Sequence, residues 1–345
     1  MDNPVLVEVT RGAIVESRHR GAFAVSLASG ERVAQAGDVA SPVYPRSAIK
    51  PFQALAAMAA GAGERFGLGA DEVAVLCASH SGEQRHVRAV RSVLGKIGSN
   101  EGALECGAHW PINAEAARAL ARRGAEAGAI HNNCSGKHAG MLALARLLGT
   151  ETAGYVERHH PVQQRILEVV EAFCGVALGE APCGTDGCSV PTWAIPLGAL
   201  ARGFARFATG EGVNDGLAAA ASSIAEAIAA EPFMIAGTGR FCSRAMGHTG
   251  RRALIKGGAE GVMCAALPER GLGIAVKCDD GAQRGAEVVM AHLLVAFRAA
   301  DGDDPQMADL MRRAMRNAAG IVTGEIRAAD ALLDATSRRG AAMIA

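Results

Sequence analysis

The segment Arg46-Ser-Ala-Ile-Lys50 places a serine and a lysine three residues apart, a spacing that puts both side chains on one face of a helical turn. An unprotonated lysine amine can accept the serine proton while the serine oxygen attacks a carbonyl carbon, as Ser–Lys hydrolases do. Because Pro51 disfavours helical geometry in the residue before it, the helix is predicted to begin close to Ser47. Taken alone, the short motif is equally compatible with a surface or capping serine.

Two other short segments carry groups suited to the same chemistry. Ser79-His-Ser-Gly-Glu83 follows an apolar run, a common place for catalytic groups, although its serines could instead cap the helix predicted from Glu83 to Leu94. Lys256 ends a strand-like run before two glycines, whose open N–H groups suit an oxyanion or carboxylate. A solvated lysine before a turn is the alternative. The three motifs, Ser-x-x-Lys, a Ser-rich loop and Lys-x-Gly, occur in the same order as in the penicillin-recognising serine hydrolases.

Longer strings are more specific than these motifs, and three of them stand out. They are His131-Asn-Asn-Cys134-Ser-Gly-Lys137-His-Ala-Gly-Met141, Cys183-Gly-Thr-Asp186-Gly-Cys188-Ser-Val-Pro191 and Ile235-Ala-Gly-Thr-Gly-Arg240-Phe-Cys242. With Tyr44–Gln53 and Ser79–Glu83, they resemble the signatures of the rhizobial-type L-asparaginases, in the same order along the chain. Strings of this length seldom occur together by chance, so the resemblance identifies a family.

The resemblance implies an L-asparagine amidohydrolase that releases ammonia and L-aspartate through a serine-linked acyl intermediate. It pairs Ser47 with Lys50 in one Ser–Lys tandem and Ser79 with Lys256 in a second. Because Ser47 shares a turn with Lys50, we expect Ser47 to be acylated and Ser79 to relay protons. The sequence alone does not fix which serine is acylated, nor how strictly glutamine is excluded.

The resemblance also implies residues that bind substrate, namely Arg46, His138 and Asp186. The fold it implies is that of the serine β-lactamases and glutaminases, a mainly antiparallel sheet flanked by helices together with a mostly helical lobe. The family assembly it implies is a homodimer. These are expectations for the structure and for experiment.

The resemblance implies a zinc site formed by Cys134, Lys137 and Cys188. Two thiolates suit zinc, and the first two residues have a spacing that one helical turn can present. A lysine must lose its proton to bind a metal, so spacing alone favours His138 over Lys137. The resemblance favours Lys137, with water completing the site and zinc assisting substrate binding. Thiols without metal are the alternative.

Bulk properties point to a small-molecule partner. The chain has 35 basic and 35 acidic residues, so it lacks the basic stripe of a nucleic-acid binder or a polybasic membrane anchor. No cationic and apolar leader is visible, and no apolar run approaches the roughly 18 residues of a membrane span. The nine cysteines are odd in number and scattered, which argues against a disulfide scaffold and for a cytoplasmic location.

The predicted secondary structure that must position these residues changes from strands to helices and back along the chain. Strand patterns occupy the first segment, near Val5–Ala36, and return late at Arg252–Lys256 and Gly271–Lys277, which we expect to be neighbouring strands. Helical periodicity dominates between them and returns in a helix from Ala286 to Arg298 and a helical region from Met307 to Ala318.

This pattern predicts one α/β (α+β) catalytic domain spanning 1–345. Its α/β lobe is predicted at roughly 1–60 plus 235–345, and its helical lobe at roughly 61–234.

Two alternative functions stay open at this level. A related serine amidase, such as a glutaminase or a β-lactamase-like hydrolase, is favoured by the short motifs and disfavoured by the long strings around Cys134 and Cys188. A non-enzymatic zinc-binding or regulatory protein would be expected to lack a member of one Ser–Lys tandem, and all four residues are present. Ammonia release from asparagine and glutamine, with a chromogenic β-lactam in parallel, separates these functions.

Overall fold

The computed structural model of the chain describes residues 3–340. Its contacts divide the chain into two compact units. The sheet unit comprises the chain up to Ala48, Ile195–Glu211 and the chain from His248 onward. The helical unit comprises Ile49–Ala194 and Gly212–Gly247. None of the helices in the described part combines the length and hydropathy that a membrane span needs.

The elements follow in chain order. The strands are β1 (Val5–Arg11), β2 (Ile14–Leu27), β3 (Arg32–Ala36), β4 (Pro42–Val43), β5 (Cys183–Thr185), β6 (Pro191–Trp193), β7 (Ile195–Pro196), β8 (Leu254–Gly257), β9 (Val262–Leu267), β10 (Leu272–Cys278), β11 (Arg313–Arg316) and β12 (Val322–Ala328). The α-helices are α1 (Lys50–Ala59), α2 (Ala62–Phe66), α3 (Ala70–Leu76), α4 (Gln84–Lys96), α5 (Ala114–Arg122), α6 (Ser135–Leu148), α7 (Pro161–Cys174), α8 (Leu197–Thr209), α9 (Asp215–Ala230), α10 (Phe241–Thr249), α11 (Gln283–Ala296), α12 (Pro305–Met311) and α13 (Asp330–Gly340).

The sheet unit is built on an antiparallel sheet whose strands run in the order β11-β12-β1-β2-β10-β9-β8, with β3 also paired to β2. Strand β2 is long enough to pair with β1 along its first half and with β10 along its second. Helices α8 and α11 pack against the sheet. Every residue of β9 is buried, as is every residue of β10 except Lys277, which indicates that both faces are covered here.

The helical unit is organised around α1 and α6, which pack against each other. Every residue of α6 from Ser135 to Ala145 is buried, as are residues Lys50 to Ala57 of α1. A helix buried all round must be rich in small and apolar residues, and both sequences meet this requirement. Pro51 lies in the first turn of α1, where its missing N–H costs no intrahelical hydrogen bond. The first turns of these two buried helices carry three of the predicted site residues, Lys50, Lys137 and His138.

The structure confirms the predicted fold class, a mixed fold of helices and an antiparallel sheet. One predicted pairing is wrong, because β8 and β10 are not neighbours and β9 lies between them. The sequence of β9 is a short apolar run without alternation, and such a run does not reveal a strand by periodicity.

The helix predicted over Met307–Ala318 is also wrong in its second half. Helix α12 ends at Met311, and Arg313–Arg316 forms the strand β11 against β12. Arg313–Arg316 forms a hairpin with β12, which is itself paired to β1 near the start of the chain, and this tertiary pairing overrides a local helical pattern.

The two units differ from the predicted lobes at three places. One is the segment 235–247, which was predicted in the α/β lobe and groups with the helical unit. Residues from Ile49 to Ala59 group with the helical unit, because α1 packs on α6, α7 and α9. Helix α8 groups with the sheet unit, because it packs on β2, β9 and β10. A hydrophobic helix does not show in its own sequence whether its apolar face meets a sheet or another helix.

Replacing Gly273 by alanine is expected to destabilise the protein. A methyl group at this β10 position would lie 2.0 Å from Ala201 O and 2.2 Å from Ala205 N, both backbone atoms of α8. Since backbone cannot rotate away, we expect the free energy of unfolding to fall by about 1–3 kcal/mol or more.

The measurement is the urea midpoint. Gly95→Ala is the matched control, because no described atom lies within 4 Å of the added methyl group near the end of α4. That control is expected to be neutral or stabilising, by up to about 1 kcal/mol. Equal midpoints for the two variants would contradict the close packing of α8 on β10.

Candidate active site

The first candidate group is the side chain of Lys50, which is buried at the start of α1. Its Nζ donates to Ala78 O at 2.6 Å, to Ser79 Oγ at 3.1 Å and to Asn133 O at 3.2 Å. Lys50 is 1% exposed. Three oxygen acceptors offset the cost of burying an ammonium group, and they fix its position. The structure therefore brings together two predicted catalytic residues, Lys50 and Ser79.

The loop that carries Ser79 is held by backbone hydrogen bonds to two other loops. Ser79 N donates to Ile235 O at 2.9 Å, and His80 N donates to Asn133 O at 3.3 Å. The carboxylate of Glu83 accepts from Thr238 N at 2.9 Å and from Thr238 Oγ1 at 2.7 Å. Three of the strings singled out in the sequence thus meet around Ser79.

The predicted zinc ligands form a second cluster in the helical unit. Lys137 Nζ donates to Cys188 Sγ at 2.8 Å, and the thiols of Cys134 and Cys188 hydrogen-bond to each other. All three residues are buried. Cys134 caps α6 and Lys137 lies in the first turn of this helix, whereas Cys188 lies in the turn that joins β5 to β6. There is no disulfide between the two thiols.

Electrostatic interactions favour one thiolate in this cluster. The hydrogen bond from Cys188, with the nearby ammonium groups of Lys50 and Lys137, holds the pKa of the Cys134 thiol well below its ordinary value. The same hydrogen bond and burial raise the pKa of Cys188. Burial by itself lowers the pKa of Lys137, but the Cys188 and Cys134 sulfurs outweigh burial and raise it. The cluster therefore holds opposite charges in a buried site.

The predicted substrate-binding residues of the helical unit lie beside this cluster. The ring of His138 is fully buried in α6, with its Nδ1 2.7 Å from the Tyr155 hydroxyl and its Nε2 without a described hydrogen-bond partner. Burial, with the charges of Lys137 and Lys50, places the pKa of His138 well below its ordinary value, so the ring is neutral. Asp186 precedes Cys188 in the same turn and lies close enough to raise the pKa of Lys137.

The remaining predicted residues lie in the sheet unit. A 3₁₀ helix, Arg46–Ile49, carries Ser47 and leads directly into α1, and Arg46 has a left-handed backbone with φ of +51°. Lys256 is 1% exposed in β8, and its Nζ donates to Gly257 O at 2.6 Å. A methyl group on Gly258 would lie 2.5 Å from Pro45 O and 3.3 Å from Ala48 N. The strand end that follows Lys256 therefore packs directly against the turn that carries Ser47.

The sequence matches the family described as L-asparaginase II over residues 7–328. The chain belongs to the L-asparaginase II family. This membership makes it an L-asparaginase, an enzyme that hydrolyses the amide of the small molecule asparagine. The resemblance stated from the sequence strings is confirmed over nearly the whole chain.

Solved structures that resemble this L-asparaginase are distant in sequence. One is described as Mglu in its native form, with 17% identity, a TM-score of 0.47 and coverage of 88% of this chain and 70% of that chain. Another is a β-lactamase from Mycobacterium bovis, with 17% identity, a TM-score of 0.39 and coverage of 81% of this chain and 95% of that chain. No curated protein sequence matches the chain. The family assignment therefore rests on the sequence match.

Sequence reasoning missed the residues that hold the loops of this L-asparaginase. Asn132 Oδ1 accepts from Cys134 N, while its amide donates to Cys106 O and to Gly107 O. His109 Nε2 accepts from Asn133 N at 2.9 Å. Both asparagines stand in the string from His131 to Met141, but their contacts lie in a loop with no recognisable pattern.

His80 is a second missed positioning residue. Its Nδ1 accepts from Gly82 N, so its Nε2 carries the proton and donates to Ser135 Oγ at 2.9 Å. Ser135 Oγ in turn donates to Ile130 O. Complete burial, followed by the charge of neighbouring His86, places the pKa of His80 well below its ordinary value. A neutral imidazole thus joins the Ser79 loop to the start of α6.

Proposed function

We propose that the chain converts L-asparagine to L-aspartate and ammonia through an acyl-enzyme formed on Ser47, with Lys50 as the base. The observation that carries this proposal is the position of Lys50, whose buried Nζ lies 3.1 Å from Ser79 Oγ. Lys50 is the first residue of α1, immediately after the 3₁₀ helix that contains Ser47. The contact with Ser79 Oγ supports Lys50 as the base, and its pairing with Ser47 rests on the spacing in the sequence and on the resemblance.

The proposed reaction has two halves. In the first, Lys50 must have released one proton to solvent and one of its three donated hydrogen bonds. The neutral amine takes the proton of Ser47 as Oγ bonds to the side-chain carbonyl carbon of asparagine, and that proton then passes to the amide nitrogen as the C–N bond breaks and ammonia leaves. In the second, water attacks the ester carbon, the lysine takes the water proton, and the proton returns to Ser47 as the C–O bond breaks. Ser79 carries protons between Lys50 and the reacting groups.

The other predicted residues complete the proposal in the roles that the resemblance implies. Lys256 serves with Ser79 as the second Ser–Lys tandem. Arg46 and Asp186 carry the opposite charges that suit the α-carboxylate and α-ammonium groups of asparagine, and His138 completes the substrate-binding set. We place the acyl group on Ser47 and the relay on Ser79.

The proposed activity is tested by ammonia release from asparagine and glutamine, with a chromogenic β-lactam as a third substrate. Asparagine is expected to be hydrolysed with kcat/KM at least about 100-fold above glutamine. Acid-quenched enzyme should carry a β-aspartyl ester on the peptide that contains Ser47. An ester on the Ser79 peptide would reverse the two serine roles, and faster hydrolysis of glutamine would replace the proposed substrate.

We also propose that Cys134, Cys188 and Lys137 hold one zinc ion. The two converging thiols are soft ligands that suit zinc, and the Lys137 amine would be the nitrogen ligand once it has released its proton. Among the described residues no group of three His, Cys, Asp or Glu could hold a metal, and Lys137 is the third protein ligand that the resemblance implies. Bound there, zinc would supply positive charge that attracts the substrate carboxylate.

Cys188→Ala is expected to remove this zinc. Losing a residue that only hydrogen-bonds to a metal ligand lowers metal affinity roughly 10–100-fold. Losing Cys188, a direct ligand, should lower the zinc affinity by more than that. Zinc content should therefore fall from about one per chain to trace amounts, and KM should rise more than kcat falls. Metal analysis of protein purified without chelator measures the first effect.

The matched control is Cys174→Ala, which removes a buried thiol at the end of α7 in the same unit. It should retain both zinc and KM. Unchanged zinc in Cys188→Ala would show that the proposed ligand set is wrong.

Compartment and assembly follow as proposals. Cys134 and Cys188 must stay reduced to bind zinc, which supports a cytoplasmic location. The family resemblance supports a homodimer, and sedimentation of the purified enzyme tests it.

A further inference from the structure

A cavity lies in the helical unit, and its lining includes Gly82 at the end of the loop that carries Ser79. It has a volume of about 610 Å³ and is bounded by α4, α5 and the chain from Ala125 to His131. Val87 and Leu120 form an apolar wall and are buried. None of the proposed catalytic, substrate-binding or zinc residues lines it. The cavity is therefore a separate site within the described chain.

The polar lining of this cavity carries balanced charges. Arg91 forms an ion pair with Glu101, and both side chains line the cavity. Arg123 and Glu126 add a second pair of opposite charges, and both residues are exposed. The cavity thus has an apolar wall and both cationic and anionic side chains. Such a lining suits a small zwitterion better than a simple anion or cation, because each charge of the ligand finds an opposite charge.

His131 adds a directed hydrogen-bond donor. Its Nδ1 accepts from Gly128 N at 3.0 Å, so the proton of a neutral ring lies on Nε2. Burial lowers the pKa of His131, the Gly128 hydrogen bond and Glu101 act against it, and Arg91 and Arg123 act with it, so that the pKa lies below its ordinary value. The same interaction shows that both guanidinium groups lie near the imidazole. A carboxylate in the cavity would find an N–H donor with positive charge beside it.

Two lining residues connect the cavity to the catalytic loops. Gly82 ends the Ser79 loop, and a methyl group there would lie 2.9 Å from Pro111 Cα and 3.2 Å from His131 O. His131 lies two residues before Asn133, whose carbonyl oxygen accepts from Lys50 Nζ. Since these loops are packed without spare room, a displacement of His131 is transmitted to the oxygen that positions Lys50.

We propose that this cavity is a regulatory site for a free α-amino acid, with the carboxylate against Arg123 and His131 and the ammonium group against Glu126. The reaction itself provides two ligands of this class, asparagine and aspartate. Occupancy by aspartate lowers kcat, because it shifts the loop from His131 to Asn133. The effect on kcat rests on the proposed role of Lys50, whereas binding to the cavity does not.

The binding experiment is calorimetric titration of L-aspartate into the zinc-loaded enzyme. The wild type is expected to bind two aspartates per chain, one in the active site and one in the cavity. Arg123→Gln and Glu126→Gln should each weaken the second site at least about tenfold. Arg122→Gln is the matched control, because Arg122 is exposed at the end of α5 and does not line the cavity. One aspartate per chain in every protein would overturn the proposal.

The kinetic experiment identifies which amino acid acts there. Aspartate should inhibit the wild type with a decrease in kcat as well as a rise in apparent KM, and Arg123→Gln should leave only the rise in apparent KM. Substrate inhibition at high asparagine that disappears in Arg123→Gln would identify asparagine as a ligand too. Two bound aspartates with purely competitive inhibition would keep the site and overturn its proposed link to Lys50.

Discussion

Replacing Ser47 by alanine is expected to abolish asparagine hydrolysis, with kcat lower by roughly 10⁴-fold or more. The alanine lacks the oxygen that forms the acyl bond, and no remaining step can replace a missing nucleophile. The side chain is small and lies in a 3₁₀ turn before α1, so the fold should be retained. The measurement is ammonia release over long incubation, with circular dichroism as the check on folding.

Ser79→Ala is the matched comparison for Ser47→Ala. It removes a hydroxyl that accepts from Lys50 but, in the proposed mechanism, forms no covalent bond with substrate. We expect a smaller loss of kcat, and the acyl group should still be trapped on Ser47. If a folded Ser47→Ala enzyme releases ammonia at a near-normal rate, Ser47 is not the nucleophile.

Replacing Lys50 by methionine has the second largest expected effect, a loss of roughly 10²–10⁴-fold in kcat. Methionine has nearly the same shape but no basic nitrogen, so the proton of the attacking hydroxyl has no acceptor. The change also removes the donor to Ala78 O and Asn133 O, two carbonyl groups that fix neighbouring loops. Each orphaned buried acceptor costs about 1–3 kcal/mol, partly offset because a buried charge is also removed.

Two further lysine variants test this interpretation. Lys277→Met is the control, because Lys277 lies in β10 and donates to Glu260 O and Cys278 O rather than to a proposed catalytic group. It should keep kcat within about twofold. Lys256→Met should lower kcat as well, since Lys256 belongs to the second proposed tandem. A folded Lys50→Met enzyme with normal kcat would show that Lys50 only supports the loops.

Much of the secondary structure follows from local patterns. Helix α4 was predicted to within about two residues at each end, because its apolar residues recur with the helical period among charged ones. The Asn113 side chain accepts from Ala116 N and fixes the start of α5, a capping choice that is readable from the sequence. Strand β9 was missed because it is buried on both faces and shows no alternation, and β11 was missed because its 4 residues are too few to show one.

The sequence alone determined the L-asparaginase family and the residue types and spacings that suit Ser–Lys and zinc chemistry. Only the tertiary structure decided which of these groups meet. Lys50 contacts Ser79 Oγ and Asn133 O, which lie 29 and 83 positions away along the chain, and Lys137 contacts Cys188 at a separation of 51. Spacing encodes the local turn of the backbone. Contacts between distant loops depend on how α1 packs against α6 and on the hydrogen bonds that join those loops, and no local pattern records either.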